Sequence, residues 1–105
     1  MKEFLMYTES KSLYLITVHG DMLRKSTMNI TTVKGGVSAK NTPISSFGSG
    51  MSDIGKFLKN DKYEIPTNAL LSAKGKRALW TNGERLEYTS TIVSIFEVSS
   101  FKKVA

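Results

Sequence analysis

The sequence predicts an α+β fold: mainly antiparallel β-sheet, or a small partly open barrel, with one or two short helices. Three observations predict it. Period-two alternation of apolar and polar residues recurs along the chain. An Asn-Gly pair joins two such runs in the last third. Only two stretches, both in the middle third, carry helical signals. The whole chain, residues 1–105, is expected to form a single globular domain with a frayed tail over about 100–105.

From Glu3 to Glu9, Phe4, Met6 and Thr8 alternate with Leu5 and Tyr7, which predicts a strand. Ser10-Lys11-Ser12 reads as a turn. Leu13 to Val18 is a second strand, apolar on both faces, and such strands sit centrally in a sheet or between layers. His19-Gly20-Asp21 ends it. Met28, Ile30 and Thr32 alternate with Asn29, Thr31 and Val33, and their β-branched content favours a third strand, closed by Gly35-Gly36. Residues 37–50 are rich in Ser, Gly, Asn and Thr, the composition of a long loop or irregular strand.

Ser52 is a suitable N-cap, and Ile54, Phe57 and Leu58 place one apolar stripe on a short helix ending near Asn60. After Pro66, Thr67 is expected to cap a helical turn through Ala69, Leu70, Leu71 and Ala73, closed by Gly75.

Arg77 to Tyr88 reads as a hairpin, because a two-residue type I′ turn needs positive φ at both centres and Asn82-Gly83 supplies it. That turn pairs Thr81 with Glu84, Trp80 with Arg85, Leu79 with Leu86 and Ala78 with Glu87. Leu79, Leu86 and Tyr88 then share one face; Trp80, Arg85 and Glu87 share the other. The returning strand, from Glu84 to about Ser99, exceeds the usual strand length. A bulge or bend is therefore expected near Thr89-Ser90-Thr91.

The chain has no cysteine, which removes disulfides, thiolate metal sites and cysteine nucleophiles. Neither a signal-peptide run nor an apolar stretch long enough to span a bilayer is present, so the expectation is a cytoplasmic protein without membrane association, in the host cytoplasm if phage-encoded. The net charge is +6, carried by 12 Lys against 3 Arg. That balance suits an anionic partner and equally suits simple solubility. The lysine bias is also what an AT-rich coding genome produces.

Residues 50–56, Gly-Met-Ser-Asp-Ile-Gly-Lys, match the spacing of a P-loop, whose backbone N–H groups and lysine cradle phosphates. Phe57 occupies the magnesium-binding position and no buried strand precedes Gly50, so chance spacing is the better account. Gly48-Ser49-Gly50, leading into the expected helix, offers a weaker anion contact. His19 has Asp21 beside it but no second histidine, and a structural turn explains both. The serines lie in no nucleophile elbow. No catalytic residue, metal site or cofactor is expected, and the chain is read as a non-enzyme.

The basic-aromatic cluster carries more. Lys74, Lys76 and Arg77 lead into the hairpin, and Trp80 and Arg85 are expected as cross-strand neighbours. Stacked bases on an aromatic ring with cations along the phosphates is how single-stranded nucleic acid is held. The expected nucleic-acid-binding set is therefore Lys74, Lys76, Arg77, Trp80 and Arg85. Trp80 in the core, or an internal Trp80–Arg85 cation–π pair, fits the same residues. Lys56, Lys59 and Lys62 extend the basic face or form the solvated side of the helix. The aromatic spacing of an RNA-recognition motif is missing.

The function expected is thus a small non-enzymatic binding protein whose basic surface engages nucleic acid or another polyanion. The alternative is a small protein–protein interaction module, such as a phage-type inhibitor or adaptor of a host protein, offering an open strand edge. A small-ligand pocket between the helix at 52–60 and the sheet is a third, minor option.

Overall fold

The computed structural model describes residues 2–20, 25–49, 64–81 and 85–98. The expected helix over 52–60 with its lysines, the Gly50–Lys56 stretch, Asp21, the Asn82-Gly83 turn and the tail beyond 100 lie outside the described residues.

Alternation builds the first three strands: β1 (Lys2–Thr8), β2 (Leu13–His19) and β3 (Lys25–Lys34). Phe4, Met6 and Thr8 of β1, Tyr14, Ile16 and Val18 of β2, and Met28 and Ile30 of β3 are all buried on one face. Each large apolar side chain so buried contributes about 1.5–3 kcal/mol relative to exposure. β1 and β2 pair antiparallel with Leu5 opposite Leu15, and β2 and β3 pair with Ile16 opposite Ile30. β2 therefore lies between two neighbours, as its apolar character on both faces implies.

The Ser- and Gly-rich stretch after β3 holds two short strands, β4 (Thr42–Pro43) and β5 (Ser46–Gly48). Gly35 and Gly36 both have positive φ, at 66° and 65°. At Gly36 a Cβ would run into Tyr14 Oη and Ser12 Oγ. Tyr14 Oη accepts the Val37 N–H at 3.1 Å, so the turn is laid directly against a core tyrosine.

β6 (Ile65–Pro66) pairs with β3 and runs into α1 (Thr67–Leu71). The helical turn forms where expected, but its N-cap is Pro66 and no side chain caps it. Thr67 is the first helical residue, and its buried hydroxyl has no hydrogen-bond partner among the described residues. Proline tolerates this boundary because its missing N–H is one that a helix start leaves unpaired anyway.

β7 (Arg77–Thr81), β8 (Leu86–Tyr88) and β9 (Ile92–Glu97) complete the chain. The larger sheet has the order β4-β3-β2-β1-β9, with β6 paired to β3; the smaller has the order β5-β7-β8. The expected long return strand is interrupted at 89–91, and the interruption moves the chain from one sheet to the other. Thr89 is buried there: its N–H donates to the Ala78 carbonyl, and its Oγ1 accepts the Ala78 N–H, both at 3.1 Å. Beyond it, Ile92 exchanges bonds with Lys76 and Gly75, at 2.7 and 2.9 Å. The two sheets are thus joined at this corner without closing into a barrel.

The hairpin register differs from the expected one. Thr81 pairs with Leu86, Trp80 with Glu87 and Leu79 with Tyr88, a slip of two residues. The two hydrogen bonds between Thr89 and Ala78 tie the register at the far end from the turn. Face assignments survive, because side chains alternate with a period of two. Inside and outside are reversed for the ring: Trp80 is 1% exposed and meets Tyr14 edge-on, with ring centroids 6.5 Å apart. It belongs to the core shared by both sheets.

Candidate functional site

Of the five residues expected to bind nucleic acid, the structure separates rather than gathers most. Trp80 is buried, so neither ring face is free for a base; the stacking platform does not exist at this position. Its size explains the outcome, because leaving an indole in water forfeits the largest apolar burial available to the hairpin. Arg85 is exposed, with 77% of its side chain accessible, and pairs with Glu87 of β8 at 3.0 Å instead of with Trp80. It adjoins β8 at the turn end of the hairpin, whereas Arg77 begins β7 at the opposite end.

Lys74, Lys76 and Arg77 surround the corner where β7 meets β9. Lys74 is exposed and lines a groove with Leu71, Val93, Ser94 and Ile95. Lys76 is half-buried, and its carbonyl is the one bonded by Ile92. Among the described residues neither lysine has an ion-pair partner. Lys76 immediately precedes β7, and Arg77 is the first residue of that strand.

Arg77 is the best-defined member. Its guanidinium carbon stands 5.3 Å from the centroid of the Tyr88 ring, a cation–π geometry. Its cross-strand partner on β5 is Gly48, which brings no side chain to compete for the site. Among the described residues the guanidinium has no hydrogen-bond or ion-pair partner, so its planar fork of donors is uncommitted there.

Around Arg77 is a shallow depression of about 330 Å³, lined also by Glu9, Ser10, Ser90 and Thr91. Two connections make its rim: the turn between β1 and β2, and the corner between β8 and β9. They are stitched together. The Glu9 N–H donates to the Thr91 carbonyl at 2.8 Å, and the Ser10 N–H donates to Ser90 Oγ at 3.2 Å. Ser10 and Ser90 hydroxyls lie 2.8 Å apart, and Ser10 also reaches Ser12 and Thr8, at 3.1 and 3.2 Å. Lys11, with φ at 68°, turns the chain back into β2.

From the sequence Ser10 is expected in a turn, Ser90 at a bend and Tyr88 on a hairpin face, none of them as a binding residue. The expected aromatic partner for a cation was Trp80, and the exposed ring that actually holds one is Tyr88, at 38% exposure. His19, the only histidine, is exposed at the end of β2. Among the described residues no group of three or more His, Asp or Glu side chains is placed to hold a metal ion. No helix of the described residues is long and apolar enough to cross a membrane. Comparison with protein-family models, with curated proteins and with solved structures finds no match to the chain.

Proposed function

We propose that the protein is a small non-enzymatic binding protein that engages a polyanion, most simply single-stranded nucleic acid, along the corner carrying Lys74, Lys76 and Arg77. The observation that carries this reading is the uncommitted Arg77 guanidinium held over Tyr88. A fixed cation beside a half-exposed ring is suited to phosphates with a base nearby. The net charge of +6 adds long-range attraction for such a ligand. Trp80 takes no part.

A labelled single-stranded oligonucleotide, followed by fluorescence anisotropy at low salt, tests the reading. Binding that a high-salt buffer reverses is the expected result; absence of binding at low salt contradicts it.

A second reading, a module for a protein partner, is favoured by one observation. Tyr7 and Phe96 are exposed on the outward face of the larger sheet, beside half-buried Leu5, Leu13 and Leu15. Binding through such an apolar face would be far less sensitive to salt than binding through phosphates.

A further inference from the structure

The two edges of the larger sheet are finished differently. On the β3 side lie β4 and β6, two residues each and each holding a proline, Pro43 and Pro66, which is how an edge resists further pairing. The other edge is β9, six residues without proline, glycine or lysine. Hydrogen-bond parity shows which of its groups are open. The Val98 N–H donates to the Glu3 carbonyl at 2.8 Å, and the register sets Phe96 opposite Leu5 and Ser94 opposite Tyr7. Ser94, Phe96 and Val98 therefore turn their N–H and C=O groups to β1, and Ile95 and Glu97 turn theirs away from the sheet. At Ile92 the edge is closed by a glycine bulge. The Gly75 N–H donates to the Ile92 carbonyl and the Ile92 N–H to the Lys76 carbonyl, with Gly75 at φ 88°. Past that bulge, no described residue pairs with the edge. Exposed apolar side chains border it instead: Leu71, Val93 and Phe96.

We infer that this edge joins two copies of the chain, β9 against β9, antiparallel about a two-fold axis at Phe96. In that register the open groups of Ile95 meet those of Glu97 of the second copy, and the reverse, so each of them gains a partner. An axis at Ile95 would instead lay Val98 of the second copy against Ile92, where Gly75 and Lys76 already sit. With the axis at Phe96, the two Phe96 rings face each other as a non-hydrogen-bonded pair, the closer kind, on the face that carries Leu5 and Tyr7. On the opposite face, Glu97 of the second copy comes beside Ile95 and the groove that Lys74 lines. Symmetry repeats this, so a carboxylate stands near a lysine on both sides of the axis, where two chains of net charge +6 would otherwise repel. The inference is independent of the polyanion reading and shares only Lys74 with it.

The chain has no cysteine, so one introduced thiol reports the axis. The test is sedimentation velocity of the full chain over a concentration series in high salt, beside the Phe96→Lys, Phe96→Cys and Tyr7→Cys variants. Near-ultraviolet circular dichroism checks each variant for native packing, which exposed Phe96 and Tyr7 do not determine. The native chain is expected to pass from monomer to dimer as concentration rises. Phe96→Lys sets two ammonium groups against each other at the axis and weakens the dimer by about tenfold or more. Under mild oxidation Phe96→Cys cross-links to a covalent dimer, because Cα atoms about 4.5 Å apart are within disulfide reach. Tyr7→Cys does not, since β1 of one copy lies three strand spacings, roughly 14 Å, from β1 of the other. A native chain that stays monomeric, with Phe96→Cys uncross-linked, overturns the inference and leaves the edge to a strand of another protein. A dimer that withstands Phe96→Lys and does not cross-link through Phe96→Cys also overturns it, because the copies then join elsewhere.

Discussion

Trp80 illustrates how one side chain can be claimed by two roles and assigned to one by burial. Its ring is enclosed between the sheets against Tyr14, and truncation there leaves a cavity that neighbours on two strands cannot fill. Trp80→Ala is expected to cost about 3–5 kcal/mol, read from urea denaturation. Because it is the sole tryptophan, its fluorescence reports the same point without mutation. Emission should be blue-shifted, resistant to iodide quenching and unchanged when an oligonucleotide binds. Gly36 is the other residue whose identity the fold demands. Its φ of 65° and the closeness of Tyr14 Oη and Ser12 Oγ leave no room for a methyl group. Gly36→Ala is expected to destabilise by about 2–4 kcal/mol, from the left-handed backbone and the displaced side chains together. A thermal melt that shifts by less than a degree would contradict this.

At the scale of elements, the corner between β8 and β9 decides both the fold and the site. Thr89 bonds Ala78 through main chain and side chain, holding β8 to β7, and three residues later Ile92 bonds across to Lys76. Thr89→Val keeps the shape but strips the hydroxyl that accepts the Ala78 N–H. It is expected to cost about 1–3 kcal/mol, since that buried donor then has no side-chain acceptor. Hydrogen exchange at the Ala78 amide should accelerate in the same variant.

The elements differ in how well sequence reveals them, for physical reasons. The strands β1 to β3 were legible because one face of each is core and alternation records that directly. The corner was legible from length alone, as a strand too long to stay straight. The hairpin register was not: Asn82-Gly83 specifies a turn, but the bonds at Thr89 specify the pairing, and they lie beyond the reach of a turn rule. The reversal at Trp80 has a different origin: both hairpin faces carry apolar residues, and periodicity cannot say which meets the other sheet. Arg77 was identifiable by charge and position. Its surroundings were not, since Ser10 and Ser90 are 80 residues apart in sequence and meet only through the fold.

Over the whole molecule, two antiparallel sheets enclose one apolar core, and the seam between them carries the cations Lys74, Lys76 and Arg77. A single contact at Arg77 is too weak to hold a strand in a cell's salt, so several phosphates must be met at once. The most direct test is the salt dependence of oligonucleotide affinity, compared between the native chain and a Lys74→Gln, Lys76→Gln, Arg77→Gln triple variant. The logarithm of affinity should fall linearly with the logarithm of salt, at about 0.7 per phosphate neutralised on a single strand, and the triple variant should flatten that slope by about 2. A slope that the triple substitution leaves unchanged would contradict the account and place any nucleic-acid contact elsewhere on the protein.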